Sequence, residues 1–160
     1  MLLKINARCN CCLENMTALI HNGRLTTKCE HCGEVPFIIN PVNGVVYIVS
    51  SPLQVGVKIG MTEKSVEQRL MGLNATGTAG KLMPIAIFPS AKPKANEKKV
   101  HDKLLKYSLG KEHFDLTPVE AVLKVFRTLG RNRPIFYDAE VEKKFDLQLK
   151  IDKSSMEMRL

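Results

Sequence analysis

GVVYIVSSPLQVGVKIGMTEKSVEQR, Gly44 to Arg69, is the stretch that decides how this chain folds. The apolar run Val45–Val49 predicts a strand, ended by the breaker pair Ser51-Pro52. A second short run, Val57–Ile59, predicts another strand ending at Gly60, and a polar link then leads into a helix. Ser65 and Gln68 have the spacing of a capping box, with Ser65 as N-cap and Gln68 at N3. Val66, Leu70 and Leu73 make the apolar stripe of that helix, and Arg69 lies at its edge. Three residues depart from a plain core pattern. Tyr47 puts a hydroxyl into an aliphatic strand, Lys58 puts an ammonium into the next, and the helix offers the Arg69 guanidinium. A phenol, an ammonium and a guanidinium on neighbouring elements are the groups that handle a phosphate.

Downstream, Asn74–Lys81 is a small-residue loop without the GxxxxGK[ST] spacing of a triphosphate-binding loop. Met83–Phe88 reads as a further strand ended by Pro89, and residues 89–96 as a Lys- and Pro-containing link. A helix follows from about Ala95 to Tyr107, with Val100, Leu104 and Tyr107 as its apolar line. Glu97 and His101 are i,i+4 on one face, the spacing of a metal pair or of an ordinary helix contact. Lys92, Lys94, Lys98, Lys99, Lys103 and Lys106 recur against only Glu97 and Asp102, which gives either a solvated lysine face or a track for a phosphate backbone. Gly110–Asp115 reads as a turn into a short edge strand. Thr117-Pro118-x-Glu120 combines N-cap, proline at N1 and capping glutamate, so a helix should run to Gly130 with Val119, Val122, Leu123 and Phe126 buried. The charged tail, 131–160, fits a helix or an amphipathic strand equally; it is expected to be a peripheral element or an oligomer arm, fraying after Lys153.

Upstream, all five cysteines lie between residues 9 and 32. Cys9-x2-Cys12 and Cys29-x2-Cys32, with sixteen residues between the pairs, have the spacing of a four-cysteine zinc ribbon. Thr17–His21 and Arg24–Lys28 flank Asn22-Gly23, the strongest two-residue hairpin signal, and this hairpin brings the two knuckles to one end. Gly33 relaxes the second knuckle. Cys11 is the spare, or Cys9 if the knuckle is read differently, and His31, which could compete for the metal, is expected to point outward between two ligands. A hairpin this small buries too little to stand without metal, so structural Zn2+ is expected and a catalytic zinc is not: four thiolates leave no open position.

The composition bounds what such parts can do. A 44% apolar content over 160 residues describes a soluble globular chain, and no apolar run approaches the roughly 20 residues of a membrane span. MLLKINARCN lacks the features of a secretory signal, and with cysteines in metal-binding spacing it points to the cytoplasm. The net charge of +8 is uneven: residues 44–130 hold thirteen basic and seven acidic side chains, against four and three in residues 1–43. That surplus lies with the Tyr-Lys-Arg set and favours a polyanionic partner.

With these motifs in order, residues 44 to 116 resemble the GIY-YIG nuclease superfamily, in particular the branch common in phage and phage-derived proteins. VVYIV stands for the first signature, VKIGMT for the second in its KIG form, EQRL for the arginine helix, ANEKKVHDKL for the acidic helix and KEHF for the ending. The resemblance implies an α+β fold, a small central antiparallel sheet flanked by helices, over 44–130. A zinc-ribbon β-hairpin over 1–38 precedes it and a charged extension over 131–160 follows. It implies a metal-dependent DNA endonuclease in a bacterial or phage-infected cell. In that scheme Tyr47 positions or deprotonates the attacking water, and Lys58 takes the place of the second tyrosine. Arg69 neutralises charge on the phosphorane, and Glu97 holds Mg2+ or Mn2+. His101, one turn on, supports the metal carboxylate or transfers a proton, and Glu112 and His113 close the site. Two alternatives share these residues: a DNA-binding module that has lost cleavage, and a protein-interaction adaptor in which the ribbon and the tail make the contacts.

Overall fold

Alternation of inward-facing with outward-facing side chains sets the first sheet. β1 (Leu2–Arg8), β2 (Asn15–His21) and β3 (Arg24–Leu25) pair antiparallel in the order β1-β2-β3. Along β2, Met16, Ala18 and Ile20 are buried while the residues between them face out, the period of a half-buried strand. Asn22 and Gly23 both take positive φ, 49° and 77°, as the tight turn between β2 and β3 demands. The second arm of that hairpin is shorter than the sequence suggests. Only Arg24 and Leu25 pair with β2. Beyond them the Thr27 hydroxyl, rather than a strand carbonyl, accepts the Leu19 amide at 2.9 Å. The long partner of β2 is β1, in register from Leu2↔His21 to Arg8↔Asn15.

The computed structural model describes residues 1–39, 42–75 and 80–157, and its contacts divide the chain into two units, Met1–Pro41 and Val42–Leu160. The second unit is built on β4 (Gly44–Ser50), β5 (Val57–Thr62), β6 (Met83–Ser90), β7 (Ser108–Gly110), β8 (His113–Phe114) and β9 (Ile135–Phe136), antiparallel in the order β7-β8-β5-β4-β6-β9. With four α-helices among the described residues, α1 (Val66–Ala75), α2 (Pro93–Leu104), α3 (Pro118–Thr128) and α4 (Ala139–Glu157), the fold is α+β. No helix among the described residues is long and apolar enough to cross a membrane.

β4 is buried on both faces because it is central. Val46 and Ile48 join the larger core with Val100 and Leu104 of α2, Val122 and Phe126 of α3 and Phe145 of α4. Tyr47 and Val49 face the other way, against Val66 and Leu70 of α1 and against Leu82. The α3 start is as expected, with both halves of the Thr117–Glu120 capping box formed. Ser65 caps α1 through its hydroxyl, which accepts the Gln68 amide at 3.2 Å.

Several boundaries differ from the sequence reading. β5 does not stop at Gly60 but runs on to Thr62, because this glycine is a close-approach position inside the strand. α2 starts at Pro93, inside the expected link, since proline fits the first helical position, and it yields to a 3-10 turn at Leu105–Tyr107. The tail is a helix, and it is not peripheral: Phe145 is fully buried, edge-on to Phe126 at 5.2 Å between ring centroids. The helix continues beyond Lys153 to Glu157. Residues 76–79 of the small-residue loop lie outside the described residues.

Candidate active site

The two cysteine knuckles fold alike. Cys9 and Cys29 each accept a backbone bond from four residues on, from Leu13 and Gly33, and each donates to the glutamate after it, Glu14 and Glu34. Leu13 and Gly33, at matching places, both take positive φ, 64° and 73°. The Cys11 amide points at Cys9 Sγ, 3.4 Å away. Amides of Cys12 and Cys11 draw the Cys9 thiol down to about 7, which favours the thiolate. The sulfurs of Cys9, Cys12, Cys29 and Cys32 lie within 4.8 Å of one another, with Cys9–Cys32 at 3.7 Å and Cys12–Cys29 at 3.6 Å. A tetrahedron with metal–sulfur bonds of about 2.3 Å has edges of about 3.8 Å, so the four sulfurs have the dimensions of a zinc site. Cys11 is exposed and stands outside it.

In the second unit, β4 and α1 deliver the phenol and the guanidinium to one point. The Tyr47 ring is 1% exposed, and its hydroxyl accepts from Arg69 Nε at 3.4 Å. Opposite Tyr47 on β5 stands Gly60. A Cβ there would come within 2.6 Å of the Tyr47 hydroxyl oxygen, so the missing side chain is what makes room for the phenol. Arg69 and Glu97 both line an open groove of about 690 Å³, with Lys64, Gln68 and Lys94 around them. Glu97 and Lys94 also face a neighbouring groove with Lys92, Lys98 and His101. Lys99 and Lys103 are exposed on α2 and line neither.

The charges in this region act on one another. Burial pushes the Glu97 carboxyl above its usual range, against the pull of His101, the Met61 amide and Lys58. The Tyr47 hydroxyl, and behind it Glu112 and Glu97, raise the Arg69 guanidinium, which stays a fixed cation. His101 is held by its Nε2, 2.9 Å from the Ile59 carbonyl, and its ring leans on Phe114 with centroids 5.1 Å apart. A carbonyl only accepts, so Nε2 carries the proton and Nδ1 of a neutral ring keeps its lone pair.

Lys58 forms an ion pair with Glu112, and His113 pairs with Lys58 in the β5–β8 register. Burial lowers the His113 imidazole, which keeps it neutral beside that pair. The structure therefore joins Tyr47 to Arg69, Arg69 to Glu97 through a shared groove, and Lys58 to Glu112. Gly60, Phe114 and the Met61 amide belong to the arrangement although the sequence reading gave none of them a role. An isolated glycine inside a strand pattern was the available signal for Gly60.

Comparison with known protein families matches residues 44–130 to the T5orf172 domain. No curated protein and no solved structure matches the chain. The matched segment covers more than half of the sequence and contains every element that carries the groove. The chain belongs to the T5orf172 domain family, a nuclease-like, DNA-binding family.

Proposed function

We propose that the chain is a metal-dependent DNA endonuclease of the GIY-YIG kind, with KIG as its second signature and a structural Zn2+ on Cys9, Cys12, Cys29 and Cys32. The observation that carries this reading is Arg69, which lines the same groove as Glu97 and hydrogen-bonds the buried Tyr47 hydroxyl behind it. The donor set fits a hydrated divalent ion. Among the described residues Glu97 belongs to no cluster of three metal-binding side chains, and Mg2+ or Mn2+ is commonly held by one or two carboxylates plus water and substrate phosphate. When bound, that ion supplies Lewis-acid neutralisation of the scissile phosphate.

The side chains supply the rest. The Tyr47 oxygen accepts from Arg69 and is buried behind it, lining neither groove, so in this reading the phenol engages a water or a phosphate oxygen only when the Arg69 side chain moves aside. The adjacent guanidinium stabilises negative charge on that oxygen when its proton leaves. Arg69 faces the groove as well and opposes charge growing on the phosphorane. His101, anchored at Nε2, has Nδ1 for proton transfer. Lys58, taken up by Glu112, orients that carboxylate; a phosphate reaching Lys58 would have to replace it. Lys92, Lys94, Lys98, Lys99 and Lys103 make contacts to the DNA backbone.

The test is nicking of supercoiled plasmid in Mg2+ by wild type, Glu97→Ala and Tyr47→Phe. Loss in both variants supports the assignment, and equal nicking by all three refutes it. The Lys58–Glu112 pair favours one second reading, a DNA-binding module without turnover, in which affinity falls with salt and no strand is cut.

A further inference from the structure

The small total charge of the first unit conceals a separation. Residues 1–41 carry Lys4, Arg8, Arg24 and Lys28 against Glu14, Glu30 and Glu34. All three glutamates lie in or beside the two cysteine knuckles, where the thiolates are. Three of the four cations, Lys4, Arg8 and Arg24, lie together on the strands, with Arg8 next to Cys9 at the knuckle end. The register puts Leu2, Lys4, Asn6 and Arg8 of β1 on the same face as His21, Leu19, Thr17 and Asn15 of β2, and Arg24 of β3 joins them opposite His21. The other face is the one that packs inward, with Met16, Ala18 and Leu25 against the cysteines.

We propose that this outward face of the ribbon sheet binds the phosphate backbone of DNA. β1, β2 and β3 contain no carboxylate, so every fixed charge that they present, on Lys4, Arg8 and Arg24, is positive. Between Lys4 and Arg8 sits one uncharged rung, Asn6 with Thr17, and Arg8 itself is paired across with Asn15. The Thr17 hydroxyl donates to Asn6 Oδ1 at 3.0 Å, and Arg8 Nε donates to Asn15 Oδ1 at 3.4 Å. That leaves the amide N–H groups of Asn6 and Asn15 and the other Arg8 N–H groups for a ligand. A four-residue strand separation puts Lys4 and Arg8 about 13 Å apart, and Arg24 lies two strand spacings, about 10 Å, from β1. The cations are thus spread over a surface wide enough to meet several phosphates. Glu30, at the rim beside Arg8, limits the patch at the knuckle end. An acidic protein would need only the charges. The polar groups among them match the sugar–phosphate contacts that amides and hydroxyls make in DNA complexes, and strands are an established way of presenting them.

The inference stands apart from cleavage, since its readout is binding. The experiment is fluorescence anisotropy of the full chain with a labelled duplex, without added divalent metal, over a range of salt concentrations. The triple variant K4A/R8A/R24A is expected to lower the slope of log affinity against log salt by about 3, because each lost phosphate contact removes about one. Lys28→Ala, which changes net charge but lies outside the strands, is expected to leave the slope unchanged. Leu19→Lys, adding a cation at the centre of the face, should steepen it by about one. A triple variant that keeps its zinc and the wild-type slope overturns the proposal. If that variant loses its zinc, Leu19→Lys decides: an unchanged slope overturns the proposal and a steeper one supports it.

Discussion

Gly60→Ala probes the packing beneath the phenol. The added methyl would sit 2.6 Å from the Tyr47 oxygen and 2.8 Å from Cζ, where ordinary contact begins at 3.4 Å. The hydroxyl must therefore retreat by about 0.8 Å, and it has little room to do so because Tyr47 is fully packed between β5 and α1. Overpacking of this kind costs about 1–3 kcal/mol, offset in part by the roughly 0.4–1 kcal/mol that alanine gains over glycine through the unfolded chain. The net expectation is a modest loss of stability. The Arg69–Tyr47 contact, already 3.4 Å long, is the first thing to break. A displacement near 1 Å at a catalytic group costs on the order of 100-fold in rate. Thermal melting and plasmid nicking on the same preparation check both halves. Full activity with an unshifted melting point would refute the packing argument. A lowered melting point with full activity would refute the role given to Tyr47.

Other outcomes follow from the same geometry. Phe145→Ala should cost about 3–5 kcal/mol in a denaturant melt of the second unit, whereas Lys143→Ala, on the exposed side of α4, should cost little. Metal analysis should find one zinc per chain, and Cys29→Ser should lose it and unfold the ribbon as seen by amide exchange. Leu13→Gly should strengthen the first knuckle by up to about 1 kcal/mol, read as slower zinc loss to a chelator, because Leu13 holds φ 64° with its side chain 69% exposed. Glu97 has a folded pKa above its unfolded one. Its destabilising effect is thus absent below the unfolded value and develops as the pH rises towards the folded one. Glu97→Gln should melt higher than wild type at neutral pH and equally at pH 3.

Much of this was legible from residue patterns, and the exceptions have physical causes. CxxC spacing with Asn22-Gly23 announced the ribbon because thiolate geometry and positive φ are local requirements. Thr117-Pro118-x-Glu120 announced α3 for the same reason. The partner of β2 was missed because β1 lies across a knuckle, and pairing between distant strands leaves no mark on either sequence alone. The α4 sequence fits helix and strand equally because its buried contacts, Val141 and Phe145, are only two among many charges. Tyr47 and Arg69 stood out as polar departures from apolar stripes. Lys58 stood out likewise, but its partner Glu112 is far off in sequence and only the β5–β8 pairing brings them together. Gly60 was misread because a glycine ends a strand as readily as it admits a neighbour's ring.

The central claim concerns Glu97. Nicking rates of wild type and Glu97→Ala across a Mg2+ titration, with zinc content measured on both samples, test it most directly. Wild type is expected to show a saturable dependence on Mg2+, and Glu97→Ala to lose it at equal zinc. Equal rates for the two proteins at every Mg2+ concentration would contradict it.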